Sequence, residues 1–292
     1  MRRRSILRTG WALALIPLSF GRRSAAWPAG QAPSTPRQAT LAAVLEATAK
    51  YCEAVKGMAL FFVCTERVSE KENFFTRGSG ASRSTPDAVR VGDTRTRTLV
   101  YEYQIVKARD DIREKRVLIE EDGQARHQED ADLPTLKFSA RNLVYGPVGF
   151  FSRYWQDYFR YEILGDEEVG GKPAIVIRAV PTAEREDNNN RGRAWVGADD
   201  FRIWRLELEP PAGEDSVVLF GDRSASLGAR YRRHITWTID YGLEKKGLLF
   251  PSRQTIREWY RSDTGFSIVK REAVFAYADY KFFTVDVDVR RP

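Results

Sequence analysis

Apolar and polar residues alternate with a period of two along most of this chain. Leu99, Tyr101, Tyr103 and Ile105 alternate with Val100, Glu102 and Gln104. The same alternation runs through Phe159, Tyr161 and Ile163, through Trp204, Leu206 and Leu208, through Ile235, Trp237, Ile239 and Tyr241, and through Phe283, Val285, Val287 and Val289. Met58 to Val68 is β-branched and aromatic. Period two means one buried and one wet face, as in antiparallel sheets. Turn residues separate the runs at Asp122-Gly123, Gly170-Gly171, Gly197 to Asp200, Gly242 and Asp263 to Gly265. The pattern predicts about ten or eleven strands in a large, strongly curved sheet or a barrel.

One stretch has helical spacing instead. Leu41, Val44, Leu45, Thr48, Cys52 and Val55 recur at three- and four-residue intervals. Thr35-Pro36-Arg37-Gln38 has the form of a helix start, with Thr as N-cap and Pro at the first helical position, and Gly57 marks the end. Residues 138–158 interrupt the strand pattern with Phe150, Phe151, Tyr154 and Trp155 among Gly146, Pro147 and Gly149. Short helical turns of this composition serve as core, or as a lid over a cavity. Residues 181–193 are polar and predict a strand connection. The expected fold is mainly β (α+β): a curved antiparallel sheet forming an incomplete β-barrel, plugged by an N-terminal helix and a short helical lid segment.

Charge first suggests a nucleic-acid partner and then, by its location, does not. The 292 residues hold 47 Lys+Arg against 40 Asp+Glu, a formal +7. Arg2, Arg3, Arg4, Arg8, Arg22 and Arg23 lie in the first 30 residues, which contain no acid; taking these six away leaves 41 against 40. The basic excess belongs to a leader, with Arg2 to Arg8 followed by the apolar run Trp11 to Phe20 and small residues at Ser24-Ala25-Ala26. That is the form of a secretory signal peptide, too short for a membrane span of about 20 residues. Residues 1–26 are therefore expected to be a signal peptide of the Sec rather than the twin-arginine kind, 27–34 a linker and 35–292 one domain. The expected compartment is the periplasm. Aromatics at 12% exclude disorder as the dominant state.

Cys52 and Cys64 are the only cysteines. In an exported chain they suggest one disulfide enclosing 11 residues and stabilising by roughly 2–3 kcal/mol, with two free buried thiols as the alternative. His127 and His234 are too few for a zinc site, so no metal and no cofactor is expected. His127 sits among Glu129, Asp130 and Asp132 without the spacing of a calcium loop. No nucleophile elbow or phosphate loop occurs, and the acid pairs Glu120-Glu121 and Asp199-Asp200 stand beside turns. No catalytic residue is assigned. Arg230, Arg232 and Arg233 flank Tyr231 in one basic patch, which reads as a wet strand face and leaves only peripheral contact with an anionic membrane open, without nucleic acid.

These residues resemble a family. One amphipathic helix followed by a long antiparallel sheet is similar to the periplasmic lipoprotein carriers and outer-membrane receptors of the LolA/LolB-like superfamily, to which the RseB-like lipid sensors are related. Val169 to Pro181 looks like the family strand that opens with Gly and ends at Pro. Gly192 to Glu207 is similar to its W-V-D hairpin, with Gly197 standing where the family has Asp, and Gly247 to Ser252 resembles a later strand opening with an apolar-Pro step. The resemblance implies an incomplete barrel whose cavity holds acyl chains. Carried over, the ligand-binding residues are Tyr101, Tyr103, Phe159, Tyr161, Trp204, Leu206, Trp237 and Ile239, with Phe150 and Phe151 in the lid. The implied partners are lipid or lipoprotein acyl chains, with an envelope protein as a further partner. A regulatory or protein-interaction module with a filled core is the second reading, and an uncharacterised hydrolase the third.

Overall fold

A computed structural model describes residues 40–58, 62–77, 89–108, 111–131, 146–182, 191–209, 231–262 and 265–283. The expected signal peptide and linker, most of the polar connection at 181–193 and the strand expected at Phe283 to Val289 lie outside these residues, apart from Phe283 itself. Helix α1 (Leu41–Met58) precedes strands β1 (Phe62–Arg77), β2 (Val89–Ala108), β3 (Asp111–Glu121) and β4 (Gln124–Gln128). Two short helices follow, α2 (Gly146–Phe151) and α3 (Arg153–Gln156). Then come β5 (Phe159–Val169), β6 (Lys172–Pro181), β7 (Arg191–Gly197), β8 (Ile203–Glu209), β9 (Tyr231–Asp240), β10 (Leu243–Lys245), β11 (Leu248–Phe250), β12 (Arg253–Ser262) and β13 (Ser267–Phe282).

Eleven strands form one antiparallel sheet in the order β4-β3-β2-β1-β13-β12-β9-β8-β7-β6-β5, and β10 pairs with β11 as a separate hairpin. The sheet is not closed into a barrel. Strands close in sequence pair at each flank, while β1 against β13 joins the two ends of the chain at the centre. Two hairpins turn at expected sites, Asp122-Gly123 and Gly170-Gly171, and a third turns at Lys246-Gly247, which the sequence pattern did not mark. Asp122 and Gly123 (φ 48° and 80°), Gly170 and Gly171 (59° and 77°) and Lys246 and Gly247 (50° and 77°) each place two successive residues in the left-handed region. Two such residues make the turn whose twist matches that of the paired strands. Register shifts in seven pairings, among them β1–β2 at Phe74/Phe75, β5–β6 at Ile163/Gly165 and β7–β8 at Trp195/Val196, bend the sheet locally.

Alternation decides the faces. On β1, Phe62, Cys64, Glu66, Val68 and Glu70 are buried, while Arg67, Ser69 and Lys71 are exposed. The buried set joins Leu99, Tyr101, Tyr103, Phe275, Ile256, Ile239, Leu206 and Ile177 in a single core on the inner face. Helix α1 packs its Val44, Cys52 and Val55 into that core, as its spacing predicts. The helix is described from Leu41, later than its expected start, and Thr40 Oγ1 accepts the Ala43 N–H at 3.3 Å as its N-cap. A smaller cluster of Ala174, Val176 and Trp195 lies on the outer face. Cross-strand ion pairs such as Arg193–Glu207 at 2.6 Å, Arg205–Asp240 at 2.6 Å and Arg257–Glu272 at 2.5 Å also line that face.

Candidate ligand-binding face

One end of the inner face carries a helical plug, built from three elements. Tyr51 of α1 both donates to the Leu249 carbonyl and accepts from the Leu249 N–H, each at 3.2 Å, which fixes the β10–β11 hairpin to the helix. The Gln156 amide donates to the carbonyls of Leu45 and Phe151 at 2.8 Å each, tying α3 to α1 and α2. Tyr161 donates to the Phe150 carbonyl, and the rings of Phe150 and Phe151 lie tilted against those of Phe159 and Tyr161, with centroids 5.1 and 5.7 Å apart. Gly146 allows α2 to approach the sheet: a Cβ there would come within 2.9 Å of the Tyr241 hydroxyl and 3.2 Å of Leu206 Cδ1.

The inner face is graded along the strands leading away from this plug. One register line crosses nine strands through Leu99, Val68, Phe275, Gln254, Ile239, Leu206, Ala194, Ile177 and Ile163. Eight of these are apolar; the ninth is the amide of Gln254, which is 0% exposed. The next inward-facing line runs through Arg97, Glu70, Ala273, Ile256, Trp237 and Leu208. Beyond it, Glu72, Arg271 and Glu258 stand side by side. Arg271 pairs with Glu72 at 2.8 Å and lies 3.6 Å from Glu258, whose other oxygen accepts from Arg233 at 2.9 Å and from the Tyr260 hydroxyl at 2.6 Å. Apolar floor, mixed middle and ion-paired rim therefore succeed one another.

Polar atoms on the apolar line and on the lines either side of it are electrostatically incomplete. Both Glu70 oxygens, both polar atoms of Gln254, the Trp237 indole nitrogen and the Tyr277 hydroxyl are buried with no hydrogen-bond partner among the described residues. A buried polar group without a partner costs about 1–3 kcal/mol. Burial pushes the Glu70 carboxyl above its ordinary range, and Arg97 only partly opposes that. The neighbouring ion cluster is complete by contrast. Arg116 meets Glu66 at 2.6 and 3.1 Å and Glu114 at 3.0 Å, and its guanidinium covers the Tyr103 ring at 4.6 Å. Burial works against the Arg116 charge, but Glu66 and then Glu114 outweigh it, so the guanidinium stays protonated.

The expected ligand-binding residues divide into three groups. Tyr101, Tyr103, Phe159, Leu206 and Ile239 are buried in the core, as are Phe150 and Phe151 of the lid segment. Tyr161 and Trp237 are half-buried on the same inner face. Trp204 sits between the inner core and the outer cluster. Trp195 opposes Arg205 while Val196 opposes Ile203, which leaves Trp204 as the extra residue of a bulge. One added residue moves a side chain to the other face. Ile203 takes the inner position with 0% exposure, and the half-buried Trp204 packs against both the main core and the outer cluster, with the Lys172 ammonium 5.8 Å from its ring. Gly197 is needed beneath it, since a Cβ there would lie 2.7 Å from the indole and 2.2 Å from Asp200 Oδ1.

The two cysteines are likewise not joined. Both are free and buried. Cys52 Sγ donates to the Pro147 carbonyl at 3.4 Å in the plug, while Cys64 packs into the core from β1. The expected disulfide gives way to two separate packing roles. Each thiol is pushed far above its ordinary range by burial, so neither is a reactive thiolate.

Other candidate chemistry disperses. His127 is exposed on β4 and lies 4.0 Å from Glu129; among the described residues no group of three or more His, Cys, Asp or Glu could hold a metal. His234 stacks on Trp259 at 4.2 Å. Of the basic patch, Arg230 lies outside the described residues, Arg233 turns inward to Glu258 and Arg232 is exposed. Two outer-face pockets of about 330 and 310 Å³ are lined by Arg178, Arg193 and Glu207 and by Trp195, Thr238 and Arg257. Their charges are satisfied across the strands, as in Arg193–Glu207. No described helix is long and apolar enough to cross a membrane.

No family model matches this chain, and no curated protein matches it. Solved structures do. The chain is similar to LolA-superfamily structures. An outer membrane lipoprotein-sorting protein domain from Vibrio parahaemolyticus aligns at a TM-score of 0.38 and 12% identity, over 82% of this chain and 92% of that one. A DUF1329 family protein from Desulfovibrio piger aligns at 0.39 and 11%, over 85% and 94%. A LolA superfamily protein from Nitrosomonas europaea aligns at 0.33 and 10%, over 85% and 97%. At these scores the likeness carries no residue roles, and the function rests on this chain's own inner face.

Proposed function

We propose that this protein is an exported, non-enzymatic binder of acyl chains, taking a lipid or the lipid part of a lipoprotein against the inner face of its sheet. The observation that carries this reading is the nine-strand line in which eight of nine inward positions are apolar, on a sheet that does not close. A chain laid along that face gains about 0.8 kcal/mol per buried CH₂. The leader Arg2 to Ala26 supports a periplasmic setting, with the mature protein starting near Trp27; an intact N-terminus on the cellular protein would overturn it.

Titration of the purified protein with an apolar fluorophore, alongside native mass spectrometry, tests the binding reading. Saturable binding and a co-purifying lipid are expected; neither being found would overturn it. Trp237→Glu should weaken fluorophore binding at least tenfold and leave the fold intact, because Trp237 is only half-buried. Phe159→Glu should unfold the protein, because Phe159 is 6% exposed and packed between Phe150 and Tyr161. The second reading, a protein-interaction or regulatory module with a filled core, is favoured by the near-complete burial of Tyr101, Tyr103, Leu206 and Ile239. Absence of fluorophore binding by a folded protein would select it.

A further inference from the structure

We propose that the middle of the inner face is a polar subsite that recognises an uncharged carboxamide at the head of an acyl chain, through Glu70, Trp237, Gln254 and Tyr277. The proposal rests on the acyl-binding reading and adds the headgroup chemistry to it. Four side chains from four strands bring unpartnered polar atoms to adjacent register lines. Gln254 is 0% exposed, Tyr277 5% and Glu70 7%, and the Trp237 indole nitrogen is buried. Gln254 stands beside Phe275, two residues along β13 from Tyr277. Glu70 and Trp237 occupy the next line, separated by Ala273 and Ile256.

Orphaned buried groups persist where something else satisfies them, and native proteins keep few. Apart from one Glu258 oxygen at the rim, they surround Gln254, the one polar position of the apolar line, with Tyr277 on the line before it and Glu70 and Trp237 on the line after it, which is where the polar junction of an amphiphile lying on that line would rest. The inventory selects the junction. Trp237 offers a donor only, Gln254 a donor and an acceptor, Tyr277 either, and Glu70 acceptors. A carboxamide presents the complement, a carbonyl to accept from Trp237 and Gln254 and an N–H to donate to Glu70. An anionic headgroup would meet the Glu70 carboxyl, and the nearest cations already have partners: Arg97 pairs with Glu121 at 2.6 Å, and Arg271 with Glu72 at 2.8 Å. A cationic headgroup would meet Arg97 on the same register line and Arg271 on the next.

Displacement of the apolar fluorophore from the purified protein by dodecanamide and by dodecanoate tests this. Dodecanamide should displace it at a concentration at least about tenfold lower, the weight of one or two well-placed hydrogen bonds. Gln254→Leu should remove that preference, with Gln254→Met as the second variant. It should also raise the thermal midpoint, because an unpaired amide leaves the core; a Gln254 that serves only the fold would lower it. Glu70→Gln should keep the amide preference and Glu70→Leu should lose it. Equal displacement by the two ligands, tighter dodecanoate, or an amide preference untouched by Gln254→Leu would each overturn the subsite alone. Failure of the fluorophore to bind the native protein would overturn the acyl-binding reading and the subsite with it.

Discussion

Glu66 and Glu70 are two residues apart on β1, face the same way, and are both buried, yet their chemistry differs. Glu66 has Arg116, and Glu70 has no hydrogen-bond partner among the described residues. Removing Arg116 leaves a carboxylate at 0% exposure without its counter-charge. Arg116→Leu should therefore destabilise by about 3–5 kcal/mol in urea unfolding, and Glu66→Leu combined with it should recover most of that loss. Glu70 behaves in the opposite sense. Its carboxyl is raised in the fold by burial, so the protonated form is the one folding favours. Its contribution is present below the ordinary Glu range and is lost as pH rises through the raised value. Glu70→Gln should raise the thermal midpoint at pH 7–8, and the advantage should vanish as pH falls towards 4. A constant advantage across that range would count against a raised Glu70. Glu72 runs the other way: burial alone would raise it, but Arg271 and Lys270 together hold it below its ordinary value. Its contribution is therefore lost only as pH falls through that lowered value.

Elements show how the plug is held. Helix α1 contributes Tyr51, Cys52 and the Leu45 carbonyl to three different neighbours: the β10–β11 hairpin, α2 and α3. Its sequence spacing predicts which stripe is buried, and Val44, Thr48, Cys52 and Val55 are buried. What the spacing does not contain is the partner of each side chain. Cys52 and Cys64 illustrate this, since their count suggests a bridge and their positions serve two different elements. Alkylation of the purified protein without reductant should add two alkyl groups after denaturation and none while folded, because both thiols are buried and held protonated. No addition after denaturation would restore the disulfide. Trp204 carries the same lesson on a strand. Strict alternation puts it with Leu206 and Leu208, and one bulge residue in the β7–β8 pairing leaves it in contact with both the inner core and the outer cluster. A bulge leaves no mark in a period-two pattern except where the count goes wrong by one.

At the scale of the molecule, the alternation and the turn residues were enough to read a large antiparallel sheet with one amphipathic helix and a short helical segment against it. Hydrophobic period reports the burial of each residue relative to its own strand, and left-handed turn residues report where strands reverse, so both are local properties of the chain. The sequence by itself therefore determined the fold class, the buried stripe of α1, the hairpin turns at Asp122-Gly123 and Gly170-Gly171, and the confinement of the excess basic charge to the first 30 residues. Tertiary structure alone decided that β1 lies against β13, that the inner face passes from an apolar line to an ion-paired rim, and that Tyr277, Glu70 and Trp237 stand unpartnered on the lines either side of Gln254. Those four residues are separated by up to 207 positions, as Glu70 and Tyr277 are, and stand in alternating runs that resemble any other strand. Their meaning comes from register between strands, a long-range property set by cross-strand packing and bulges, which no local period encodes.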